Sequence, residues 1–144
     1  MRNKILGILF GLAISLGFAT APAMAKLYIT IDLSDQTMQV SKDGIFTTHN
    51  WKVSTARKGY VTPKGNFKPY LLKTMHYSRK YDNSPMPHSI FFKGGYAIHA
   101  TPYVKSLGRP ASHGCIRLDP RHAKKLFELV KSAGMKDTFI EIIP

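Results

Sequence analysis

The chain has 144 residues, of which 44% are hydrophobic, with one cysteine and a formal net charge of +13 at pH 7. A single cysteine cannot close a disulfide within the chain, and this length is enough for one compact domain but not for two. The excess of positive charge predicts an anionic partner, because a strongly basic surface attracts polyanions.

The first residues have the pattern of a secretory signal peptide. Two basic residues precede an almost unbroken apolar run from Ile5 to Phe18, and Ala23-Met24-Ala25 forms an A-x-A cleavage site. The run is shorter than the roughly 20 residues of a membrane-spanning helix, so we expect no stable membrane anchor after cleavage. The sequence therefore predicts a signal peptide over residues 1–25 and a domain over residues 26–144 that is exported to the periplasm or cell envelope.

The mature domain stays strongly basic. Without Arg2 and Lys4, it carries 19 Lys and Arg residues against 8 Asp and Glu residues, a formal charge of +11. An exported domain rarely meets nucleic acid, so we expect an anionic envelope surface or a carboxylate-bearing wall polymer as partner instead of nucleic acid. The basic residues are scattered along the chain, which leaves open a simpler alternative, a solvated basic surface that aids solubility.

The first third of the mature domain has the pattern of a β-meander. Apolar and polar residues alternate from Leu27 to Asp32, which predicts a half-buried strand. Thr37–Val40 follows as its return strand, and Lys42-Asp43-Gly44 predicts a hairpin turn into a strand within Ile45–Ser54.

The middle of the chain is less regular. Asn66–Lys73 predicts a further strand whose centre Pro69 turns into an edge or a bulge. Met75–Pro87 has no clear period and carries two prolines, which predicts a loop long enough to cover a site. Short strands are predicted over Ser89–Phe92 and Tyr96–Ala100, on either side of two glycines.

One segment has the pattern of a helix. Asp119 is a good N-cap, Pro120 a good first residue, and apolar residues recur at i, i+3, i+4 and i+7 from Ala123 to Val130. Gly134 is placed to end this helix, and an apolar strand closes the chain. The sequence therefore predicts one mostly-β domain with one main helix near the C-terminus.

The only thiol of the chain, Cys115, stands in the segment Ser112–Leu118, "SHGCIRL". An unpaired cysteine in an exported protein suggests a reactive thiol or an intermolecular bridge, and a small buried side chain is the structural alternative. A thiol becomes a nucleophile as its thiolate, and a nearby imidazolium lowers its pKa and then acts as general acid. His99, at the end of a predicted strand, and His113, two residues upstream, are the two candidates for that imidazole.

Two neighbours of the cysteine fit acyl transfer. Gly114 allows a tight turn, so that backbone N–H groups near Cys115 converge on a developing oxyanion. Arg117 offers a planar cation suited to a carboxylate, and in an extended segment it projects to the same side as Cys115. A zinc site formed by the thiol, His99 and His113 is an alternative by ligand type, but the metal-ligand spacing is missing, so we expect no metal.

The segments around Cys115 and His99 resemble those of a known family. Ser112–Leu118, preceded by Ala97-Ile98-His99, is similar to the signature of the L,D-transpeptidases, the YkuD catalytic domain. Thr62–Phe67, and Met86-Pro87 followed by Phe91-Phe92, resemble the upstream blocks of that family. The resemblance covers nearly all of the mature chain and implies a β-rich, sandwich-like fold of two mixed sheets with the helix at one side.

The resemblance implies roles for individual residues. Cys115 matches the family's nucleophile and His99 its general base, whose imidazole is oriented by the backbone carbonyl of the next residue, often Gly in this family and Ala100 here. Ser112 and His113 match the shell of the family's site. The amides of Gly114 and Cys115 match its oxyanion hole, and Arg117 matches its basic, substrate-binding position.

The implied activity is that of a peptidoglycan L,D-transpeptidase. Cys115 would take the acyl group of a stem-peptide donor, release its terminal D-amino acid and pass the acyl group to an amine, without any cofactor. Carbapenem-type β-lactams are implied as inhibitors, because their strained carbonyl mimics the donor amide. Two alternatives stay open: a carboxypeptidase or endopeptidase of the same family that uses water as acceptor, and a non-catalytic basic domain that binds the envelope.

Overall fold

The computed structural model describes residues 25–144, which form two β-sheets and one α-helix. Apart from Ala25, the predicted signal peptide lies outside the described residues. The helix, α1, covers Pro120–Ala133. The strands in chain order are β1 (Leu27–Asp32), β2 (Thr37–Lys42), β3 (Phe46–Lys52), β4 (Gly65–Phe67), β5 (Leu71–Ser78), β6 (Ser84–Lys93), β7 (Tyr96–Ala100), β8 (Ile116–Leu118) and β9 (Thr138–Ile143).

Both sheets are mixed. The first has the strand order β3-β2-β1-β9-β4 and the second the order β5-β6-β7-β8. Each contains one parallel pair, β1 with β9 and β7 with β8, among otherwise antiparallel strands. The prediction of a mostly-β fold with mixed sheets and one main helix near the C-terminus is confirmed.

The helix begins and ends where the sequence predicts. The side chain of Asp119 accepts a hydrogen bond from the backbone N–H of Arg121 at 2.9 Å, which caps the first turn, and Gly134 with φ of 88° ends the helix. Its apolar face packs mainly on β6 and β7 and also contacts β1. Among residues 25–144, no helix has the length and apolar character needed to cross a membrane.

One hydrophobic core joins the inner faces of both sheets and the apolar face of α1. On the second sheet the inward side chains of β7 and β8 include Ile98 and Ile116, which are partners in the parallel register and are at most 1% exposed. Successive side chains of a strand point to opposite faces. His99 and Arg117, also register partners, therefore stand on the outer face of this sheet. Cys115, which directly precedes β8, lies on the same side, in contact with Met86, Phe91 and Ala97.

The predicted loop over Met75–Pro87 is wrong. Its first residues continue β5, its last residues begin β6, and the two strands pair from Ser78 with Ser84 onward. The prolines are tolerated because β7 pairs with β6 only from Ile90, which leaves the first half of β6 with a free side. A missing N–H on that side costs no ladder hydrogen bond.

The predicted single strand over Asn66–Lys73 is also wrong. The segment divides into β4 of the first sheet and β5 of the second, and Pro69 lies in the crossing between them. Proline cannot extend a ladder on both sides, so it separates the two strands where the sequence pattern indicated a bulge.

Candidate active site

A cleft of about 760 Å³ opens on the outer face of the second sheet. Its walls come from the β5–β6 hairpin, the ends of β7 and β8, and the connection between those two strands. The structure brings six of the sequence-predicted site residues to this cleft, and the seventh, Gly114, is buried between two of them. The six are His99, Ala100, Ser112, His113, Cys115 and Arg117.

Cys115 lies half-buried on the floor of the cleft. Its Sγ is 3.8 Å from the carbonyl oxygen of Gly95, and it packs against the small apolar cluster of Met86, Phe91 and Ala97. Burial raises the pKa of the Cys115 thiol, although the backbone N–H of Ala97 and the charge of Arg117 act in the opposite direction. Burial thus favours the neutral thiol, which is opposite to the lowered thiol pKa that the sequence predicts.

His99 is fixed in one tautomer. Its Nδ1 lies 2.7 Å from the carbonyl oxygen of Ala100. A carbonyl oxygen only accepts, so Nδ1 carries the proton and Nε2 presents a lone pair. Ala100 stands in β7 without a positive φ, and the alanine at this position therefore brings no backbone strain.

The imidazole of His99 is uncharged near neutral pH. The side chain is 7% exposed, and burial, assisted by the charge of Arg117, lowers its pKa to about 4, although the hydrogen bond to Ala100 acts against this shift. A neutral imidazole with a free Nε2 lone pair is a proton acceptor. The cleft thus holds a neutral imidazole and a thiol whose neutral form is favoured by burial, in place of the two charged groups of the predicted ion pair.

Arg117 brings a fixed positive charge to the cleft. Its Nη1 donates to the carbonyl oxygen of Ala111 at 3.4 Å, and its guanidinium carbon lies 5.9 Å from the centre of the Tyr103 ring. Its backbone is held by Ser54, with which it exchanges two hydrogen bonds of 2.9 and 3.1 Å. Burial lowers the pKa of Arg117 from its ordinary value, but a guanidinium stays charged in proteins.

A hydrogen-bond network shapes the turn before the cysteine. Ser112 Oγ accepts from the Gly114 N–H at 3.0 Å and donates to the Cys115 carbonyl at 2.6 Å. Thr62 Oγ1 donates to the Gly114 carbonyl at 2.8 Å, which connects the upstream motif block to this turn. The Gly114 amide is already satisfied, so of the two predicted oxyanion amides the one of Cys115 remains to meet a substrate.

Gly114 cannot be replaced without displacing its surroundings. Its φ is +126°, and a Cβ atom there would lie 2.6 Å from Cε1 of Tyr96 and 2.8 Å from the carbonyl oxygen of Val61. Both the backbone conformation and the space around it require glycine.

His113 forms a wall of the cleft and is held by two tyrosines. Its ring stacks on Tyr81 at 4.5 Å with an interplanar angle of 11°, and Tyr60 meets it edge-on at 4.7 Å. Burial, and then the charge of Arg57, lowers the pKa of His113. Tyr81 belongs to the turn between β5 and β6, so this stack ties the hairpin to the segment that carries the cysteine.

Several cleft residues were missed by sequence reasoning. Arg57, Arg79 and Lys80 join Arg117 in lining the cleft, and none of its lining residues is a carboxylate. His76 also lines it and lies edge-on to Phe91 at 5.1 Å. The dense alternation of basic and aromatic residues in "HYSRKY" was a signal for this wall. Because the sequence pattern predicts a loop here, it could not predict the position of this segment beside the cysteine.

A metal centre has no support in this part of the molecule. Among residues 25–144, no three His, Cys, Asp or Glu side chains are grouped as a metal site requires. His99, His113 and Cys115 share the cleft without forming such a set, so the zinc alternative lacks its ligands.

Comparison with known proteins gives one family. The family model of the L,D-transpeptidase catalytic domain, YkuD, matches residues 26–142. No curated protein sequence matches the chain.

Solved structures show the same fold. An L,D-transpeptidase from Mycobacterium smegmatis is 24% identical with a TM-score of 0.73, and the match covers 83% of this chain and 59% of that one. An L,D-transpeptidase from Stackebrandtia nassauensis is 27% identical with a TM-score of 0.67, over 91% and 62%. L,D-transpeptidase 3 from Mycobacterium tuberculosis, in complex with a faropenem-derived adduct, is 18% identical with a TM-score of 0.69, over 83% and 61%. The chain thus spans about 60% of the length of these relatives.

The neutral pair predicts slow alkylation of the thiol at pH 7. Because burial raises the thiol pKa, the rate of iodoacetamide labelling of Cys115 should rise only above the ordinary thiol value of about 8.5. Neither His99→Ala nor His113→Ala removes a cation from the thiol, so both should keep that alkaline midpoint. Rapid labelling at pH 7 that disappears in His99→Ala alone would instead establish an imidazolium–thiolate pair.

Gly114→Ala is expected to destabilise the domain by about 2–4 kcal/mol, from backbone strain together with overpacking. Gly59→Ala is the matched control, because Gly59 also has a positive φ, +89°, but has nothing within 4 Å of the added Cβ. Urea unfolding of both variants separates strain from crowding. Equal losses of unfolding free energy would contradict the close packing around Gly114.

Proposed function

The chain belongs to the YkuD family of L,D-transpeptidase catalytic domains, and from that premise we propose that it is an exported cysteine acyltransferase that cross-links or remodels peptidoglycan. The observation that carries the proposal is the placement of His99 and Cys115 on the cleft side of two hydrogen-bonded strands, with the tautomer of His99 fixed. The roles of both residues and the location in the periplasm are parts of this proposal.

The first half-reaction forms a thioester. Nε2 of His99 takes the thiol proton as Sγ of Cys115 attacks the carbonyl carbon of the donor amide. The tetrahedral oxyanion accepts a hydrogen bond from the Cys115 amide. The imidazolium of His99 then gives its proton to the nitrogen of the terminal D-amino acid, the C–N bond breaks, and this amino acid leaves with the thioester in place.

The second half-reaction transfers the acyl group. An amine from a neighbouring stem peptide enters the vacated part of the cleft and loses a proton to Nε2 of His99 as it attacks the thioester. The C–S bond breaks, and the proton returns to the sulfur of Cys115. Water in place of the amine gives hydrolysis by the same steps, so the acceptor decides between transpeptidase and carboxypeptidase activity.

A neutral resting pair suits this sequence. An imidazole whose pKa is lowered to about 4 by burial is unprotonated near neutral pH, so the cycle starts with His99 ready to accept a proton. In the low-dielectric floor of the cleft, proton transfer concerted with attack avoids forming a buried thiolate before the substrate arrives.

The charge of the cleft supports a carboxylate-bearing substrate. Four cationic side chains and no carboxylate line it, and the donor carries a free carboxylate on its terminal D-residue. Arg117 is the most enclosed of these cations and lies beside the catalytic pair, so we assign it to carboxylate binding. Its planar fork suits two parallel hydrogen bonds.

β-Lactams fit the same site chemistry. The structure of L,D-transpeptidase 3 from Mycobacterium tuberculosis is that of a complex with a faropenem-derived adduct, and faropenem is a β-lactam. A lactam carbonyl in this cleft would meet the same sulfur and the same amide as the donor carbonyl. The proposal therefore includes acylation of Cys115 by carbapenem-type compounds.

Purified disaccharide-tetrapeptide fragments of peptidoglycan test the reaction. Mass spectrometry of the incubated mixture should show loss of the terminal D-amino acid and formation of a cross-linked dimer, both absent with Cys115→Ala. Hydrolysed tripeptide without dimer would assign water as acceptor. Binding of the fragments with neither product would leave the non-catalytic envelope-binding alternative.

Incubation with a carbapenem should raise the intact mass of the protein by one drug adduct, with no adduct in Cys115→Ala. His99→Gln removes the free Nε2 lone pair, so adduct formation should slow by about 10²–10⁴-fold. His113→Gln is the matched control and should retain a rate within about tenfold of the wild type, because its ring is held by tyrosines. Equal losses in both variants would remove His99 as the specific base.

A further inference from the structure

The turn between β2 and β3 exposes two neighbouring apolar side chains. Ile45 is 72% exposed and Phe46 is 74% exposed, and these are the two highest values among the large hydrophobic residues of the described chain. Neither lines the cleft. Single exposed apolar residues are ordinary, but two at the tip of one hairpin form a projection that water solvates poorly.

The projection has the backbone geometry of a tight hairpin turn. Asp43 and Gly44 both have positive φ, 54° and 70°, and the N–H of Ile45 donates to the carbonyl of Lys42 at 3.4 Å. Gly44 also packs near the ring of Tyr28, since a Cβ atom at Gly44 would lie 3.8 Å from Cε2 of that ring. A hairpin turn closed in this way holds Ile45 and Phe46 at the outer end of the first sheet.

Cations gather at the same end of the sheet. Lys42 pairs with both Leu27 and Phe46 in the ladder, so it stands beside the tip, and Lys26 precedes β1 at this end. Lys68 follows β4 at the opposite edge of this sheet, where its Nζ donates to the carbonyl of Lys136 at 2.8 Å. This Nζ also lies 4.4 Å from the centre of the Phe139 ring, which stacks on Tyr28. The one acid of the turn, Asp43, is engaged, because its Oδ1 accepts from the N–H of Lys26 at 2.9 Å.

The chain also enters the described domain here. The carbonyl of Lys26 accepts from the N–H of Asp43 at 2.8 Å, so residue 26 is bonded to the turn itself. The sequence upstream contains the apolar run from Ile5 to Phe18. In the uncleaved chain, the apolar run is joined to the domain through Lys26, beside the tip. After cleavage behind Ala25, the new α-ammonium of Lys26 would stand next to Asp43 and add a positive charge to this end of the sheet.

We infer that the β2–β3 tip, residues 43–46, is a membrane-contact site. Ile45 and Phe46 insert into the interface of an anionic bilayer, and the lysines at this end of the sheet contact the lipid headgroups. The chemistry is that of peripheral binding, in which a small apolar insertion and electrostatic attraction act together. The site is separate from acyl transfer, because it uses the end of the first sheet and not the outer face of the second.

A tryptophan at the tip tests the insertion directly in the whole protein, whether or not the leader is retained. Phe46→Trp should show a blue-shifted emission, quenched by acyl-chain-brominated lipid, when vesicles of phosphatidylglycerol and phosphatidylethanolamine are added. Val61→Trp is the matched control, because Val61 is 69% exposed and lies elsewhere. The native Trp51 is 9% exposed and contributes equally to both variants.

Two further variants test the two parts of the surface. Ile45→Ser/Phe46→Ser should reduce vesicle binding about tenfold and leave acyl transfer between soluble fragments unchanged. Lys42→Gln and Lys68→Gln should each weaken binding to the anionic vesicles about fivefold, with little change on phosphatidylcholine. The inference is overturned if Phe46→Trp and Val61→Trp respond alike to vesicles, or if the tip tryptophan is shifted without lipid in a protein that light scattering shows to be a dimer.

Discussion

The site depends on the parallel pairing of β7 with β8 while one face of both strands is buried. Ile98 opposite Ile116 fixes the register, since a slip of either strand by one residue would carry its isoleucine out of the core. With the register fixed, His99 and Cys115 have no choice of face. A parallel pair also needs a long crossover, and the segment from Thr101 to Gly114 that makes it supplies one wall of the cleft. Core packing and site assembly are thus consequences of the same pairing.

Burial decides the protonation state of the two reacting groups. A buried thiolate beside a buried imidazolium would need compensation for the desolvation of both charges, and the nearest fixed charge, Arg117, favours the thiolate but disfavours the imidazolium. The arginine therefore does not stabilise the ion pair as a unit. The proposed function gives Arg117 a different role, in which it stabilises the negative charge that the substrate brings to the cleft.

The sequence carried the chemistry of the site further than its geometry. Residue types around Cys115, together with the family resemblance, were enough to select His99 as a candidate site residue. The sequence did not predict that its strand, β7, pairs with β8, which begins at Ile116 directly after the cysteine. Local patterns were enough for α1 and for the first hairpin, where capping and turn residues act over a few positions. The β5–β6 hairpin was missed because Pro85 and Pro87 argue against a strand unless one knows that β7 leaves that side unpaired. The effect of burial on His99 and Cys115 was missed for a similar reason, because desolvation depends on what packs around a group and not on its neighbours in sequence.

The stack of His113 on Tyr81 shows how that missed hairpin bears on the site. The cation-rich wall, with Arg79 and Lys80 next to Tyr81, belongs to the turn between β6 and β5, the edge strand of its sheet. A ring stacked at 4.5 Å holds this turn against the segment before Cys115, and Tyr60 braces the same imidazole from a second direction. Under the proposed function, His113 would act on the reaction through the shape and charge of the wall, and proton transfer would rest with His99, whose tautomer the backbone fixes. The two histidines of the motif differ in their surroundings, because His113 is held by aromatic rings and His99 by a carbonyl oxygen.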